Sequence, residues 1–73
     1  MTAEQKQYSD FVWSLNRDAL IEETIRILKL AAYDSDLSAE YRWKRHTCHM
    51  EWVRRDGNDD QYNDTLEETV GKG

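Results

Sequence analysis

The run His46-Thr47-Cys48-His49 holds both imidazoles and the single thiol of the chain, so metal or nucleophile chemistry would have to start there. Zinc asks for three or four converging ligands. On a helix, two residues of rotation send Cys48 about 160° away from His46, so the three side chains cannot meet on one ion. His46 and His49, at i and i+3, supply two ligands at most. A cysteine nucleophile needs a base, an orienting third group and an oxyanion hole set in a cleft. A chain of 73 residues offers little cleft. Cys48 also falls on the face expected to be core, where a thiol packs as a small apolar group. No two carboxylates have a spacing that marks them for acid–base work. The sequence therefore predicts no catalytic residue, no metal site and no cofactor, with His46 and His49 as ordinary surface or interface histidines.

The elements that position these residues are bounded first by size and charge. A 73-residue chain makes one small domain near the lower limit for an unassisted hydrophobic core. Its 38% hydrophobic and 34% charged residues give a globular balance. Charge is uneven: residues 1–34 carry a net of −2, residues 35–55 a net of +2, and residues 56–73 the remaining −5. A net charge of −5 argues against general nucleic-acid binding, because phosphates repel most of such a surface. One cysteine excludes an internal disulfide and suggests a reducing, cytoplasmic setting. No secretory apolar region and no apolar run of roughly eighteen residues is present, so membrane partners are not expected.

Proline is absent, and the three glycines are Gly57, Gly71 and Gly73. With no alternating strand pattern either, the chain reads as all-α. Thr2 and Gln5 fit a capping box opening a helix over 3–15, with Tyr8, Phe11, Val12 and Leu15 as its stripe. Asn16 or Asp18 can cap a second helix over 18–33. There Leu20, Ile21, Thr24, Ile25, Ile27, Leu28, Ala31 and Ala32 cover a wide arc, the mark of a central helix. Asp34-Ser35-Asp36 supplies turn chemistry, with Ser38 as another cap. A third helix runs over 37–55 and stops at Asp56-Gly57.

The expected architecture is a three-helix domain, residues 1–57, followed by an acidic, partly disordered tail, residues 58–73. In that tail Asp64 and Glu67 can cap a short turn through Leu66 and Val70. The expected core is Tyr8, Phe11, Val12, Leu15, Leu20, Ile21, Ile25, Leu28, Tyr41, Cys48 and Trp52.

Residues 41–55 pack three aromatics, five Lys/Arg and two His into an otherwise acidic chain. Leu37, Tyr41, Cys48 and Trp52 cluster on one side of the third helix, while Ala39, Trp43, His46, Met50 and Val53 lie opposite. A domain this small hides one such face, so the second reads as an interface, with Trp43, Met50 and Val53 as anchors. Arg42, Lys44, Arg45, His46, Arg54 and Arg55 would give it charge complementarity. Three other readings use the same residues. The face is buried under a folded-back tail carrying Tyr62 and Leu66, or it is sealed in a homodimer, or the second and third helices form a helix-turn-helix DNA reader. Against DNA stand the acidic turn and Glu40 in the first turn of the third helix. The acidic tail would cover the basic helix until displaced, contact a basic patch on the partner, or remain solvated.

In its motif-free 73-residue length, its Tyr41-Arg42-Trp43-Lys44-Arg45 strip and its acidic segment 56–68, the chain resembles the small acidic helical proteins by which phages redirect host machinery. Within that group it is similar to the small inhibitors of bacterial RNA polymerase. The likeness is one of size and make-up and assigns no residue a role. It implies a protein that occupies a polymerase surface, interferes with promoter recognition and alters elongation, in the host cytoplasm if a phage encodes it; monomer and homodimer both remain open. Anti-restriction and anti-CRISPR proteins share the same make-up.

Overall fold

A computed structural model of the chain describes residues 2–33 and 38–71, side chains 32, 33 and 38 excepted. The expected turn at Asp34-Ser35-Asp36, Leu37 and the Ser38 side chain lie outside the described residues. Among these residues there are four α-helices and no strand: α1 (Ala3–Ser14), α2 (Arg17–Tyr33), α3 (Ser38–Asp56) and α4 (Asp60–Val70). No helix is long and apolar enough to cross a membrane, among the described residues.

The helix ends follow local chemistry. Thr2 caps α1 through the reciprocal pair expected of a capping box: the Gln5 amide donates to Thr2 Oγ1 at 3.1 Å, and the Thr2 amide donates to Gln5 Oε1 at 3.1 Å. Asn16, rather than Asp18, caps α2, its Oδ1 accepting from the Ala19 amide at 2.8 Å. Helix α3 ends at Gly57, whose φ of 76° is open to glycine at no steric cost and whose amide donates to the Val53 carbonyl at 2.8 Å.

Packing proceeds from α1 to α3, from α3 to α2, and from α2 to α4, with a lighter contact between α3 and α4. Helices α2 and α3 are thus the inner pair. Val12, Leu20, Ile27, Cys48 and Trp52 are completely buried between the helices, with Leu28 and Tyr62 nearly so. Tyr8, Leu15, Ile21, Tyr41 and Leu66 pack around them. The Trp52 indole N–H donates to Thr24 Oγ1 at 3.1 Å, and that hydroxyl donates to the Leu20 carbonyl at 2.7 Å. Each polar atom drawn into the core keeps a partner, which removes the desolvation cost of an orphaned group. Among the described residues no buried side-chain nitrogen or oxygen lacks one.

Expectations for the tail and for the core need correction. Residues 60–70 are a fourth helix rather than a tail, so the three-helix boundary at residue 57 cuts through the packed unit. Its inward stripe is Tyr62, Thr65, Leu66 and Thr69, with Tyr62 and Thr65 buried. Thr65 is tolerated there because its hydroxyl donates to the Gln61 carbonyl at 2.9 Å. The helix begins at Asp60, where Asn58 Oδ1 accepts the Asp60 amide at 3.1 Å, and not at the Asp64–Glu67 pair. Phe11, expected in the core, is 47% exposed. Helix α1 rests mainly on α3, so it buries a narrower stripe than its apolar positions span. On α2 it is Ile27 that is completely buried, whereas Ile25 is half-covered.

Candidate partner-binding groove

Helix α3 divides along its length. Its inward strip carries Cys48 and Trp52 into the core. At Cys48 three helices meet in one polar node: Tyr8 Oη donates to Glu23 Oε2 at 2.6 Å and lies 3.4 Å from Cys48 Sγ, while Arg26 holds Glu23 with two N–H donors at 2.9 and 2.7 Å. Burial pushes the Tyr8 phenol and the Cys48 thiol up, keeping both protonated at neutral pH. Burial also pushes the Glu23 carboxyl up, but the Arg26 and Tyr8 hydrogen bonds and the Arg26 charge outweigh it, and the net shift is downward. A protonated, sealed thiol is a packing group and a poor nucleophile.

The outward strip faces a groove. Helix α1 runs beside α3 in the same direction, with Tyr8 against Trp43 and Cys48 and Trp13 against Arg54. Between them lies a cavity of about 430 Å³ lined by Gln5, Ser9 and Trp13 of α1 and by Trp43, His46, Thr47, Met50, Glu51 and Arg54 of α3. Trp43 is half-buried, edge-on to the Tyr8 ring at 5.7 Å. Met50 is 44% exposed and Trp13 60%. The Arg54 guanidinium lies 3.6 Å from the centre of the Trp13 ring, a cation–π contact that holds the indole upright on the rim.

The expected interface residues separate into three groups. Trp43, His46, Met50 and Arg54 come together in the groove. Arg42 and Arg45 turn toward α4, where with His46, His49, Tyr62, Asn63 and Leu66 they line a second, shallower notch. There Arg45 Nε donates to Tyr62 Oη at 2.8 Å, and the His49 and Tyr62 rings stack at 4.0 Å. Asp59 lies 3.4 Å from His49 Nε2.

The remaining residues are engaged within the fold or lie outside the groove lining. Lys44 pairs with Glu40 at 3.2 Å and sits over the Tyr8, Tyr41 and Trp43 rings. Arg55 holds Glu51 and donates to the carbonyls of Val12, Trp13 and Leu15 at 3.2, 3.2 and 2.6 Å, capping α1 from another helix. Val53 is half-buried outside the groove lining.

The sequence reading passed over Trp13, because it lies off the Tyr8–Val12–Leu15 stripe. The signal available was a large indole standing alone on the polar side of an amphipathic helix, in line with Gln5 and Ser9.

Cys48 is turned into the core, away from His46 and His49, which both line the notch beside α4, His46 reaching the groove as well. Among the described residues no group of three potential metal ligands converges. The chain matches no protein-family model, no curated protein and no solved structure.

Proposed function

We propose that the chain is a non-enzymatic binding protein that docks on a host protein complex through the α1/α3 groove and so inhibits or redirects it. Bacterial RNA polymerase is the complex assigned, on the resemblance in size and make-up. The observation that carries the binding reading is the pairing of Trp13, Trp43 and Met50 with Arg54 on one open, concave surface. Tryptophan and arginine are the residues most enriched among binding hot spots, and methionine adapts to irregular apolar partners. The exposed acids of α4, Asp60, Asp64, Glu67 and Glu68, give the far side a negative field suited to steering toward a basic partner surface.

Duplex DNA as the partner loses support, because much of the basic strip is already engaged. Lys44, Arg45 and Arg55 spend donors on Glu40, Tyr62 and the α1 carbonyls.

The test is co-elution of the purified protein with RNA polymerase on gel filtration, read beside promoter-dependent transcription. The expected result is a stoichiometric complex and reduced transcript. Trp43→Ala should weaken that complex by about 2 kcal/mol or more. Failure to co-elute, with transcription unchanged, sinks the polymerase assignment. Retention of duplex DNA that weakens steeply with salt would favour the DNA reader instead.

A further inference from the structure

The two walls of the groove are parallel helices, and that limits what can lie between them. On α1, Gln5, Ser9 and Trp13 recur at i, i+4 and i+8; on α3, Trp43, Thr47, Met50 and Arg54 recur at i, i+4, i+7 and i+11. At 1.5 Å per residue these stripes run side by side for roughly 12–16 Å, two to three helical turns. Both walls have committed their backbone hydrogen bonds internally, and Thr47 Oγ1 already donates to the Trp43 carbonyl at 2.9 Å. An extended peptide laid there would leave its own N–H and C=O groups with few partners, whereas a helix brings its backbone satisfied.

Charge narrows the occupant further. The ionisable groups lining the groove are His46, Glu51 and Arg54. The Glu51 side chain is 7% exposed and is held by both Arg54 and Arg55, so it presents no free negative charge. Arg54 spends Nε and Nη2 on Glu51, and among the described residues its Nη1 has no partner. On α1 the ionic pair Lys6 with Asp10 at 3.4 Å, the one among the described residues of that helix, is neutral in sum. The accessible charge of the groove is therefore positive, on a chain whose net charge is −5. A second copy meeting face to face would bring two Arg54 guanidinium groups and two His46 rings into one interface, with no free groove carboxylate to meet them.

We propose that the α1/α3 groove receives an amphipathic helix of the partner that carries carboxylates along one flank. Trp13 and Trp43 close on its apolar anchors from opposite walls, Met50 moulds to them, and Arg54 meets a carboxylate through Nη1. The inference rests on the binding reading above and adds the chemistry of the partner element and the part played by Trp13.

Two designed helical peptides of about five turns test it. Both carry leucines at i, i+3, i+4 and i+7, with glutamates on the flank of one and lysines on the flank of the other. Titration is followed by two-dimensional amide NMR of the full chain. The glutamate peptide should shift Ser9, Trp13, Trp43 and Met50, and the indole N–H signals of Trp13 and Trp43 but not of Trp52. It should bind at least about tenfold tighter than the lysine peptide at low salt, with the gap closing as salt rises. Trp13→Ala should abolish these shifts while leaving the melting temperature in place; Met50→Ala, also at an exposed site, is the second probe. Equal affinity for the two peptides, shifts confined to other surfaces, or no shifts overturns the proposal. So does a dimer in sedimentation that buries Trp13. If polymerase binds wild type and Trp13→Ala alike, helix docking in the groove fails while the polymerase reading stands. If the glutamate peptide binds but polymerase does not, the reverse holds.

Discussion

Trp52 and Trp13 show how differently one residue type serves this molecule. Trp52 is completely buried, donates its indole N–H to Thr24 and has the Arg17 guanidinium 4.9 Å from its ring centre. Trp13 is 60% exposed and held mainly by the Arg54 cation stacked 3.6 Å away. The contrast follows from the packing order. The α3 strip that carries Trp52 faces α2, which covers it, whereas the strip that carries Met50 is edged by α1 and left partly open. Burial with satisfied polar atoms makes a fold, while an aromatic surface braced in the open costs solubility, and it is this surface that the binding proposal builds on.

Four further experiments probe that contrast. Trp52→Ala should cost about 3–5 kcal/mol, because a cavity opens where no side chain can collapse and Thr24 loses a donor. Against a total stability of roughly 4–11 kcal/mol for this size, that is a large share, and circular dichroism should show a markedly lowered melting temperature. A chain ending at Gly57 removes Tyr62, Thr65 and Leu66 from α2 and should lose roughly 3 kcal/mol. An unchanged melting curve would restore the view of residues 58–73 as an appendage.

Acid should act next. Burial pushes the Glu23 and Glu51 carboxyls up, yet their arginine hydrogen bonds win, and both titrate below their ordinary 4.5. A carboxyl depressed in the folded state adds stability that is present in full above 4.5 and disappears as pH falls through its lower folded value. Melting temperature should therefore be level from neutrality toward 4.5 and decline below it. A decline beginning near neutrality would contradict these ion pairs. Trp13→Ala should move folding stability least, by about 0.5 kcal/mol or less, as expected of an exposed side chain. A larger loss by denaturant titration would make Trp13 a structural residue and erase the contrast with Trp52.

Much of the fold could be read from particular residues. The Thr2–Gln5 box, the Asn16 cap, the Gly57 stop and the wide arc of α2 are local signals, and each one holds. Helix α4 was hidden because two of its four inward positions, Thr65 and Thr69, are threonine, and four of its eleven residues are acidic. With polar residues on the stripe, periodicity fades although the i, i+3, i+4, i+7 spacing is intact.

The groove was half legible. The spacing of Trp43, His46, Met50 and Val53 put them on one face with Arg54 on its flank, but a single-helix pattern cannot say which residues of another helix will form the opposite wall. Nor can it show that Arg55 is consumed within the fold, since its contacts to α1 join residues far apart in sequence, as Arg55 and Leu15 do; the Lys44–Glu40 pair, by contrast, is a local i,i+4 contact.

The reach of Arg55 across to the carbonyls of Val12, Trp13 and Leu15 has a kinetic corollary. The last turn of α1 is fastened by a guanidinium that enters the chain forty residues later, so it cannot fray while α3 stays in place. Its amides should exchange with solvent only when the entire domain opens, although they sit close to an exposed indole. The indole beside that turn is therefore carried on a fixed mount, and little ordering remains to be done when another molecule arrives.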